Sequence, residues 1–269
     1  MIKEQYCVSH IGGRPDHEDN FLFNGVYITP TEQKGMAWKR FICSSEKTPA
    51  NVRFFAISDG MGGHSAGEVA SRICVVRLAE TETAIQNHGD IKEVVEICQK
   101  TIAGVNNEVC AKGRENSAFG GMGSTLVLLV MRGSECAVLN IGDSRAYFFD
   151  GASLTQITKD HTAGQRMLDL NLLADEDLIH FDTRKNLTRY IGFDEPDLRL
   201  EADEYFIKAR NGIIILCSDG VSDSLTDAEI EECLGTELNI GTAARNIIDR
   251  AVAKQNSDNA TVIIVSTEE

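Results

Sequence analysis

Short apolar segments that run directly into acidic turns are the feature that most constrains this chain. The segment 53–58 leads into Asp59, 136–142 leads into Asp143, and 212–218 leads into Asp219. Each is rich in β-branched residues and bounded by Gly, Asp or Asn, which is typical of a buried strand and its turn. Further acidic residues lie just before such segments. The acidic residues at these predicted strand ends are Glu18, Asp19, Asp59, Asp143, Asp219 and Asp258.

A carboxylate at the end of a buried strand is held rigidly, and several such ends can meet at one edge of a β-sandwich. Converging carboxylates repel one another unless cations neutralise them. Oxygen ligands without Cys or His spacing favour hard ions such as Mg²⁺ or Mn²⁺. A single Asp-Gly pair is also common turn chemistry. The hypothesis of a metal site therefore depends on the repetition of the pattern along the chain.

The order of the elements predicts an α+β fold in one domain, residues 1–269. Apolar residues recur at helical spacing over about 91–109, at Val69, Ile73 and Val76, and over about 241–254. The strands come in blocks, and the two long helices lie together between blocks. This order favours antiparallel sheets covered by helices over a parallel sheet. We expect the segment at about 29–51 to be a loop insertion.

Composition narrows the class of protein. The formal net charge of −15 argues against nucleic acid or an anionic membrane surface as a partner, since both favour clustered Lys and Arg. The eight cysteines include no Cys-x-x-Cys pair, which indicates reduced thiols in the cytoplasm. The sequence shows no signal-peptide pattern and no apolar stretch of membrane-spanning length. We expect a cytoplasmic monomer.

Several competing chemistries lack their motifs. A cysteine-based phosphatase needs an Arg at a fixed position after its thiolate, and none of the eight cysteines has one there. The Gly-rich stretch 119–125 contains no Lys, so it is not a nucleotide-binding P-loop. The His-Glu-x-x-His motif, the EF-hand loop and the Gly-x-Ser-x-Gly elbow are also absent. These exclusions favour a metal-activated water.

Taken together, these segments resemble the motifs of the metal-dependent protein phosphatase family, the protein phosphatase 2C type, in its bacterial form. The matches follow the family order over nearly the whole chain. His17 stands where the family usually has Asn. The matching segments are Arg14 with Glu18-Asp19-Asn20, Asp59-Gly60-Met61-Gly62-Gly63-His64, Gly121-Met122-Gly123-Ser124-Thr125, Gly142-Asp143-Ser144-Arg145, Lys159-Asp160-His161, Asn186-Leu187-Thr188-Arg189, Ser218-Asp219-Gly220 and Ser257-Asp258-Asn259.

The resemblance implies a four-layer α/β/β/α sandwich, in which two central antiparallel sheets are flanked by helices. It also implies two Mn²⁺ or Mg²⁺ ions bridged by Asp59. The remaining implied ligands are Asp219 and Asp258 on one ion, the Gly60 carbonyl on the other, Glu18 and Asp19 directly or through waters, and Asp143 for a third, weaker ion.

The same resemblance implies that a water between the cations attacks phosphorus, because two cations strongly lower the pKa of that water. Arg14 would bind the phosphoryl oxygens with its forked guanidinium, and a surface salt bridge is its alternative role. The leaving alkoxide needs a proton, which a His directly after Asp-Gly is thought to supply in eukaryotic members. Here that position is Met61. His64 is the nearest candidate acid, with His161 and a metal-bound water as alternatives.

We therefore expect a serine/threonine protein phosphatase that acts in signalling on phosphorylated proteins, with a Ser/Thr kinase and its substrates as partners. The segment at about 160–188 matches the bacterial flap, a mobile helix-loop that helps to choose substrates; a simple crossover connection is the alternative. Two other functions stay open: a catalytically silent module that binds a phosphoprotein or kinase, and a hydrolase of small phosphoesters. The intact Asp59, Asp219 and Asp258 disfavour the silent module.

Overall fold

Two antiparallel β-sheets form the centre of the computed structural model, which describes residues 2–33, 40–44, 50–62, 66–87, 89–174, 177, 183–195, 200–208, 210–235 and 239–268. The described strands are β1 (Ile2–His10), β2 (Asp19–Phe23), β3 (Arg40–Ser44), β4 (Val52–Met61), β5 (Gly123–Ser124), β6 (Leu126–Arg132), β7 (Glu135–Ile141), β8 (Arg145–Phe149), β9 (Leu154–Gln156), β10 (Asp203–Ile207), β11 (Ile213–Cys217) and β12 (Ala260–Thr267). The first sheet has the order β3-β1-β12-β11-β8-β9. The second has the order β10-β7-β6-β4-β2, with β5 beside β4.

Helices cover the outer face of each sheet. The described helices are α1 (Pro30–Gln33), α2 (Gly67–Ala84), α3 (Ile91–Glu115), α4 (Ala163–Asp169), α5 (Asp219–Ser222), α6 (Asp227–Gly235) and α7 (Ile240–Val252). Helices α2 and α3 pack on the second sheet, and α6 and α7 pack on the first. This arrangement confirms the predicted α/β/β/α sandwich. Within the described parts of the chain, no helix combines the length and apolar character that a membrane crossing requires.

Three hydrophobic layers hold the sandwich together. In the middle layer, Phe21 and Phe55 of the second sheet meet Leu216 and Ile263 of the first, and all four are fully buried. The outer layers lie between each sheet and its helices. Strands with both faces covered, such as β12, are buried along their whole length, and the middle of β12, residues 262–265, is therefore apolar without alternation. Each large side chain buried in this way stabilises the fold by about 1.5–3 kcal/mol.

The helical periodicity located α3 and α7 correctly. The Asp90 carboxylate caps α3 by accepting from two backbone N–H groups of the first turn, each at 2.9 Å, and the predicted stripe over 91–109 is buried. In α2 the predicted stripe is partly wrong. Val69 is buried, but Ile73 and Val76 are only half-buried. Helix α2 packs against both the sheet and α3, so its buried surface is broader than one stripe.

The prediction of a loop at 29–51 is wrong for part of its length, because β3 and α1 lie inside it. β3 pairs antiparallel with β1 at the edge of the first sheet, where Cys43 stands opposite Cys7. Only Phe41 and Cys43 of β3 pack against the middle layer, and both are half-buried. So short an apolar alternation gives a weak sequence pattern. Residues 34–39 and 45–49 lie outside the described part of the chain.

Candidate metal centre

The acidic strand ends meet at one edge of the two sheets, because neighbouring strands run in opposite directions. β2 begins where β4 ends, so Asp19 stands directly opposite Asp59. In the first sheet, β11 ends near the start of β12, where Cys217 pairs with Val262. Asp219, just after β11, therefore lies on the same side of the sheet as Asp258, just before β12. At this edge the start of one strand lies beside the end of its neighbour, so acidic residues from both positions reach it.

A cavity of about 610 Å³ opens at this edge. Asp59, Asp143 and Asp219 line it from three different strand ends. Their charges act on one another through the cavity. The described lining residues are Asp59, Met61, Gly62, Gly121, Thr125, Asp143, Lys185, Asn186, Leu187, Tyr190 and Asp219.

The pKa values of these carboxyl groups are raised, first of all because the groups have lost hydration. Burial and the neighbouring Asp219 raise the pKa of Asp143 to about 8. Burial raises the pKa of Asp219 to about 6, although its hydrogen bond with Asp59 opposes the shift. The pKa of Asp59 lies well above its ordinary value, owing to burial and to the charges of Asp219 and Asp19. Carboxyl groups in this setting take up either protons or cations at neutral pH.

Asp19 lies behind the cavity and is fully buried. Its Oδ2 accepts hydrogen bonds from Ser218 Oγ at 2.7 Å and from Thr261 Oγ1 at 2.6 Å. Its Oδ1 is also buried, and it has no hydrogen-bond partner within the described residues. Burial raises the pKa of Asp19 to about 7. A buried carboxylate oxygen without a partner is costly, so this atom indicates a ligand such as a cation or its water.

The donor set fits Mg²⁺ or Mn²⁺ rather than zinc. Every predicted ligand is an oxygen atom, which hard cations prefer. Among the described residues, no three Asp, Glu, His or Cys side chains surround one point closely enough to hold an ion by themselves. A structural zinc site requires such an enclosure by four protein ligands. Mg²⁺, in contrast, is usually bound through one or two carboxylates and keeps several waters.

Arg14 lies at the edge of the site, against Asp258. Its Nη2 donates to Asp258 Oδ2, and its side chain is 53% exposed. This hydrogen bond raises the pKa of Arg14, with smaller contributions from the charges of Glu18 and Asp219. Asp258 also borders a second cavity, of about 330 Å³. An exposed ion pair is worth only about 0–1 kcal/mol, so the guanidinium can exchange Asp258 for another anion at little cost.

Glu18 and Gly60 stand beside the cavity and are not among its described lining residues. The Gly60 N–H donates to the Glu18 carbonyl at 3.2 Å. Helix α2 passes so closely that a Cβ on Gly60 would lie 2.2 Å from the Gly67 carbonyl oxygen. The position therefore requires glycine. Burial, together with the charge of Glu68, raises the pKa of Glu18.

The family model described as Protein phosphatase 2C matches residues 43–254. The chain belongs to the protein phosphatase 2C family. It is 30% identical over 219 residues to the serine/threonine phosphatase stp of Listeria monocytogenes, a match that covers 81% of this chain and 86% of that protein.

Solved structures of phosphatases share the fold. Stp1 from Staphylococcus aureus matches with a TM-score of 0.81 and 25% identity, covering 100% of this chain and 96% of that one. The catalytic domain of PstP in complex with two manganese ions matches with a TM-score of 0.76 and 26% identity, covering 99% of both chains.

His161, one of the candidate acids of this protein phosphatase 2C chain, has hydrogen-bond partners on both sides of its ring. Its Nδ1 accepts from the Gly142 N–H at 3.0 Å, and its Nε2 lies 3.1 Å from Asp203 Oδ2. Both ring nitrogens are thus engaged, and His161 is not among the described residues that line the cavity. Met61 does line it, at the position after Asp-Gly. His64, the other candidate, lies outside the described residues.

Sequence reasoning missed two residues that shape the protein phosphatase 2C site. Lys185 lines the cavity, and its Nζ donates to the carboxylate of Asp223. Lys185 directly precedes the motif that begins at Asn186, and this position next to a recognised motif could have drawn attention to it. Thr261 holds Asp19 from within β12. β12 also carries Ser266 and Thr267, so the hydroxyl of Thr261 did not stand out in the sequence.

Proposed function

We propose that the chain is a Mn²⁺- or Mg²⁺-dependent phosphatase that hydrolyses phosphoserine and phosphothreonine on other proteins. The observation that carries this proposal is one cavity lined by Asp59, Asp143 and Asp219, whose carboxyl groups are desolvated and have raised pKa values. Such a cavity favours divalent cations, whose charge offsets that of the carboxylates, over a neutral ligand. Family membership and the names of the relatives support the substrate class.

The residues assigned to the ions follow the family pattern. We assign Asp59 and Asp219 as carboxylates that would hold the cations. Bound cations would lower the pKa of a water and neutralise charge on the phosphoryl oxygens. The proposed ligands and supporting carboxylates are Glu18, Asp19, Asp59, the Gly60 carbonyl, Asp143, Asp219 and Asp258.

The protein's own groups fix the backbone that carries Asp59 and Asp143 before any ligand binds. The Asp59 N–H donates to Thr125 Oγ1 at 3.0 Å, and the Thr125 N–H donates to the Asp59 carbonyl at 2.8 Å. Thr125 Oγ1 lies 2.7 Å from Ser144 Oγ, next to Asp143. This network links two of the acidic strand ends. A site that is organised in advance loses less free energy when it binds a charged group.

The surroundings of the site favour a protein substrate over a small phosphoester. Asp258, the partner of Arg14, borders the second cavity and interacts electrostatically with Asp219, which lines the first. The two cavities are therefore neighbours, and Arg14 lies close to the second one. Neighbouring cavities suit the residues that flank a phosphorylated Ser or Thr in a peptide.

The direct test is phosphate release from matched phosphopeptides in Mn²⁺. We expect phosphothreonine and phosphoserine peptides to be hydrolysed with a higher kcat/KM than the same peptide with phosphotyrosine, and than p-nitrophenyl phosphate. A peptide supplies contacts around the phosphate that the small ester lacks. Binding of the phosphopeptide without turnover would support the catalytically silent module instead. A higher kcat/KM for the small ester would favour the small-molecule hydrolase.

Replacement of Arg14 by Ala should mainly raise KM, by roughly tenfold, because charge-assisted hydrogen bonds to phosphate are worth about 1.5–3 kcal/mol. Steady-state kinetics with a phosphothreonine peptide measures the change. Arg114→Ala is the matched control, since Arg114 also forms an exposed ion pair, with Asp194, and its side chain is 62% exposed. An unchanged KM in Arg14→Ala would assign Arg14 to the salt bridge alone.

We further propose that residues 1–269 form one catalytic domain, which works as a cytoplasmic monomer and opposes a Ser/Thr kinase in signalling. The segment at about 160–188 would act as the substrate-choosing flap. Its two limbs are paired, with the Ala163 N–H donating to the Asn186 carbonyl at 2.8 Å, and its second limb reaches the cavity. Light scattering tests the monomer, and exchange of this segment with that of a relative tests substrate choice.

A further inference from the structure

His161 forms two hydrogen bonds with the turn that carries Asp143. The Gly142 N–H donates to His161 Nδ1 at 3.0 Å, and the His161 N–H donates to the Gly142 carbonyl at 2.9 Å. Gly142 has a φ of +101°, and a Cβ there would lie 2.7 Å from the side chain of Thr125. The imidazole is only 8% exposed, so water is poorly placed to replace it. The residue before Asp143 is therefore held at both its N–H and its carbonyl.

The hydrogen bonds define the state of the ring. A nitrogen that accepts from a backbone N–H carries no proton, so the proton of His161 is on Nε2 and is donated to Asp203 Oδ2 at 3.1 Å. Arg189 Nη1 is 3.3 Å from the same Nε2, but it is 2.7 Å from Asp203 Oδ1. The other tautomer would place a proton on Nδ1, directly against the Gly142 N–H. His161 is therefore a neutral acceptor toward the site.

The backbone of His161 connects the same turn to the proposed flap. Its carbonyl accepts from the Thr188 N–H at 2.8 Å. The residues that follow, 163–164, bond to the carbonyls of Asn186 and Arg184 at 2.8 and 2.9 Å. Between these contacts, residues 185–187 line the catalytic cavity. One residue thus contacts both the Asp143 turn and the base of the limb that closes the cavity.

We propose that His161 is a positioning residue, which as a neutral Nε2–H imidazole fixes the Asp143 turn for cation binding. The proposal rests on the proposed function only in treating Asp143 as a cation ligand. It gives a role to His161 of the Lys159-Asp160-His161 motif, to which the proposed reaction assigns no step. Partners behind metal ligands typically contribute about 10–100-fold to metal affinity or activity.

Two substitutions separate the contacts of the ring. In His161→Asn, the amide oxygen can stand where Nδ1 stands and accept from Gly142, but the contact with Asp203 is lost. In His161→Gln, the amide reaches toward Asp203 and the acceptor for Gly142 is lost. We expect Mn²⁺ affinity at the weakest site, measured by calorimetry, to stay near wild type in His161→Asn. It should fall about tenfold or more in His161→Gln.

The Mn²⁺ affinities of the two variants relative to each other decide the outcome. Equal losses of affinity in both, in proportion to their losses of Tm, would show a merely structural role and overturn the proposal. Wild-type affinity in His161→Gln would overturn it as well. The ¹⁵N shifts of the His161 ring in the unsubstituted protein provide a test that needs no variant. A protonated Nε2 and an unprotonated Nδ1 support the proposal, and the opposite assignment contradicts it.

These measurements separate a failure of this proposal from a failure of the proposed function. If the protein binds Mn²⁺ and releases no phosphate, the function is wrong, while the affinity difference between the Asn and Gln variants still supports the role of His161. If the protein hydrolyses phosphopeptides and His161→Gln binds Mn²⁺ normally, only the role of His161 is wrong.

Discussion

Replacement of Asp219 by Asn should abolish hydrolysis while the protein stays folded. Asp219 begins α5 two residues after the end of β11, and it lines the cavity together with Asp59. The amide keeps the shape but has no charge with which to hold a cation. We expect kcat/KM for a phosphothreonine peptide to fall at least about a thousandfold, which corresponds to roughly 4 kcal/mol of transition-state stabilisation.

The loss of activity should not be accompanied by a loss of thermal stability. The substitution removes one of several desolvated carboxyl groups that repel one another, so the Tm of the chelator-treated variant should equal or exceed that of the wild type. Addition of Mn²⁺ should then raise its Tm less. Asp249→Asn is the control, because Asp249 is 56% exposed and forms only a surface pair with Arg40. Activity of Asp219→Asn within about tenfold of the wild type would contradict the assignment.

Removal of divalent cations with EDTA should eliminate hydrolysis, and excess Mn²⁺ should restore it. It should also make stability depend on pH in a particular direction. The pKa values of Asp19, Asp143 and Asp219 rise to about 7, 8 and 6, so the folded protein holds protons that the unfolded chain releases. By linkage, these groups do not destabilise the fold below their ordinary pKa. Their destabilising effect grows as the pH rises from the ordinary pKa to the folded values, and it levels off above them.

We therefore expect the Tm of the EDTA-treated protein to fall between about pH 5 and about pH 8. Saturating Mn²⁺ should remove most of this slope, since the cations take the place of the protons. Thermal unfolding in both conditions, monitored by circular dichroism, measures the difference. A Tm that is flat in EDTA, or one that Mn²⁺ does not raise at the upper end of the range, would count against the carboxylate cluster as a cation site.

The parts of the site that follow from local sequence were predictable. Asp59 and Asp219 stand at the ends of apolar strands, so the local sequence shows that both carboxylates are held rigidly. The two strands lie in different sheets, and their ends meet because of the way the sheets pack. Other parts depend on which strands become neighbours. The contact of Thr261 with Asp19 joins residues far apart in the chain, and no local pattern contains it. The same is true of Lys185 with Asp223.

The prediction for β3 failed for a related reason. The strand is stabilised by its pairing with β1, and its own residues bury too little surface to reveal it. The histidines show a different limit of prediction from sequence. The sequence offered His161 as an acid, whereas its hydrogen bonds to Gly142 and Asp203 engage both of its ring nitrogens. Such assignments need the positions of atoms on several elements, which spacing along one chain does not contain.

The position of β12 has a consequence for how the enzyme is made. This strand follows the other described strands in the chain, yet it lies inside the first sheet, between the early strand β1 and β11. Asp258 lies two residues before it, and Thr261 within it donates to Asp19. Two parts of the metal centre therefore depend on the insertion of this strand between β1 and β11. The site is complete only when the order of the first sheet is complete.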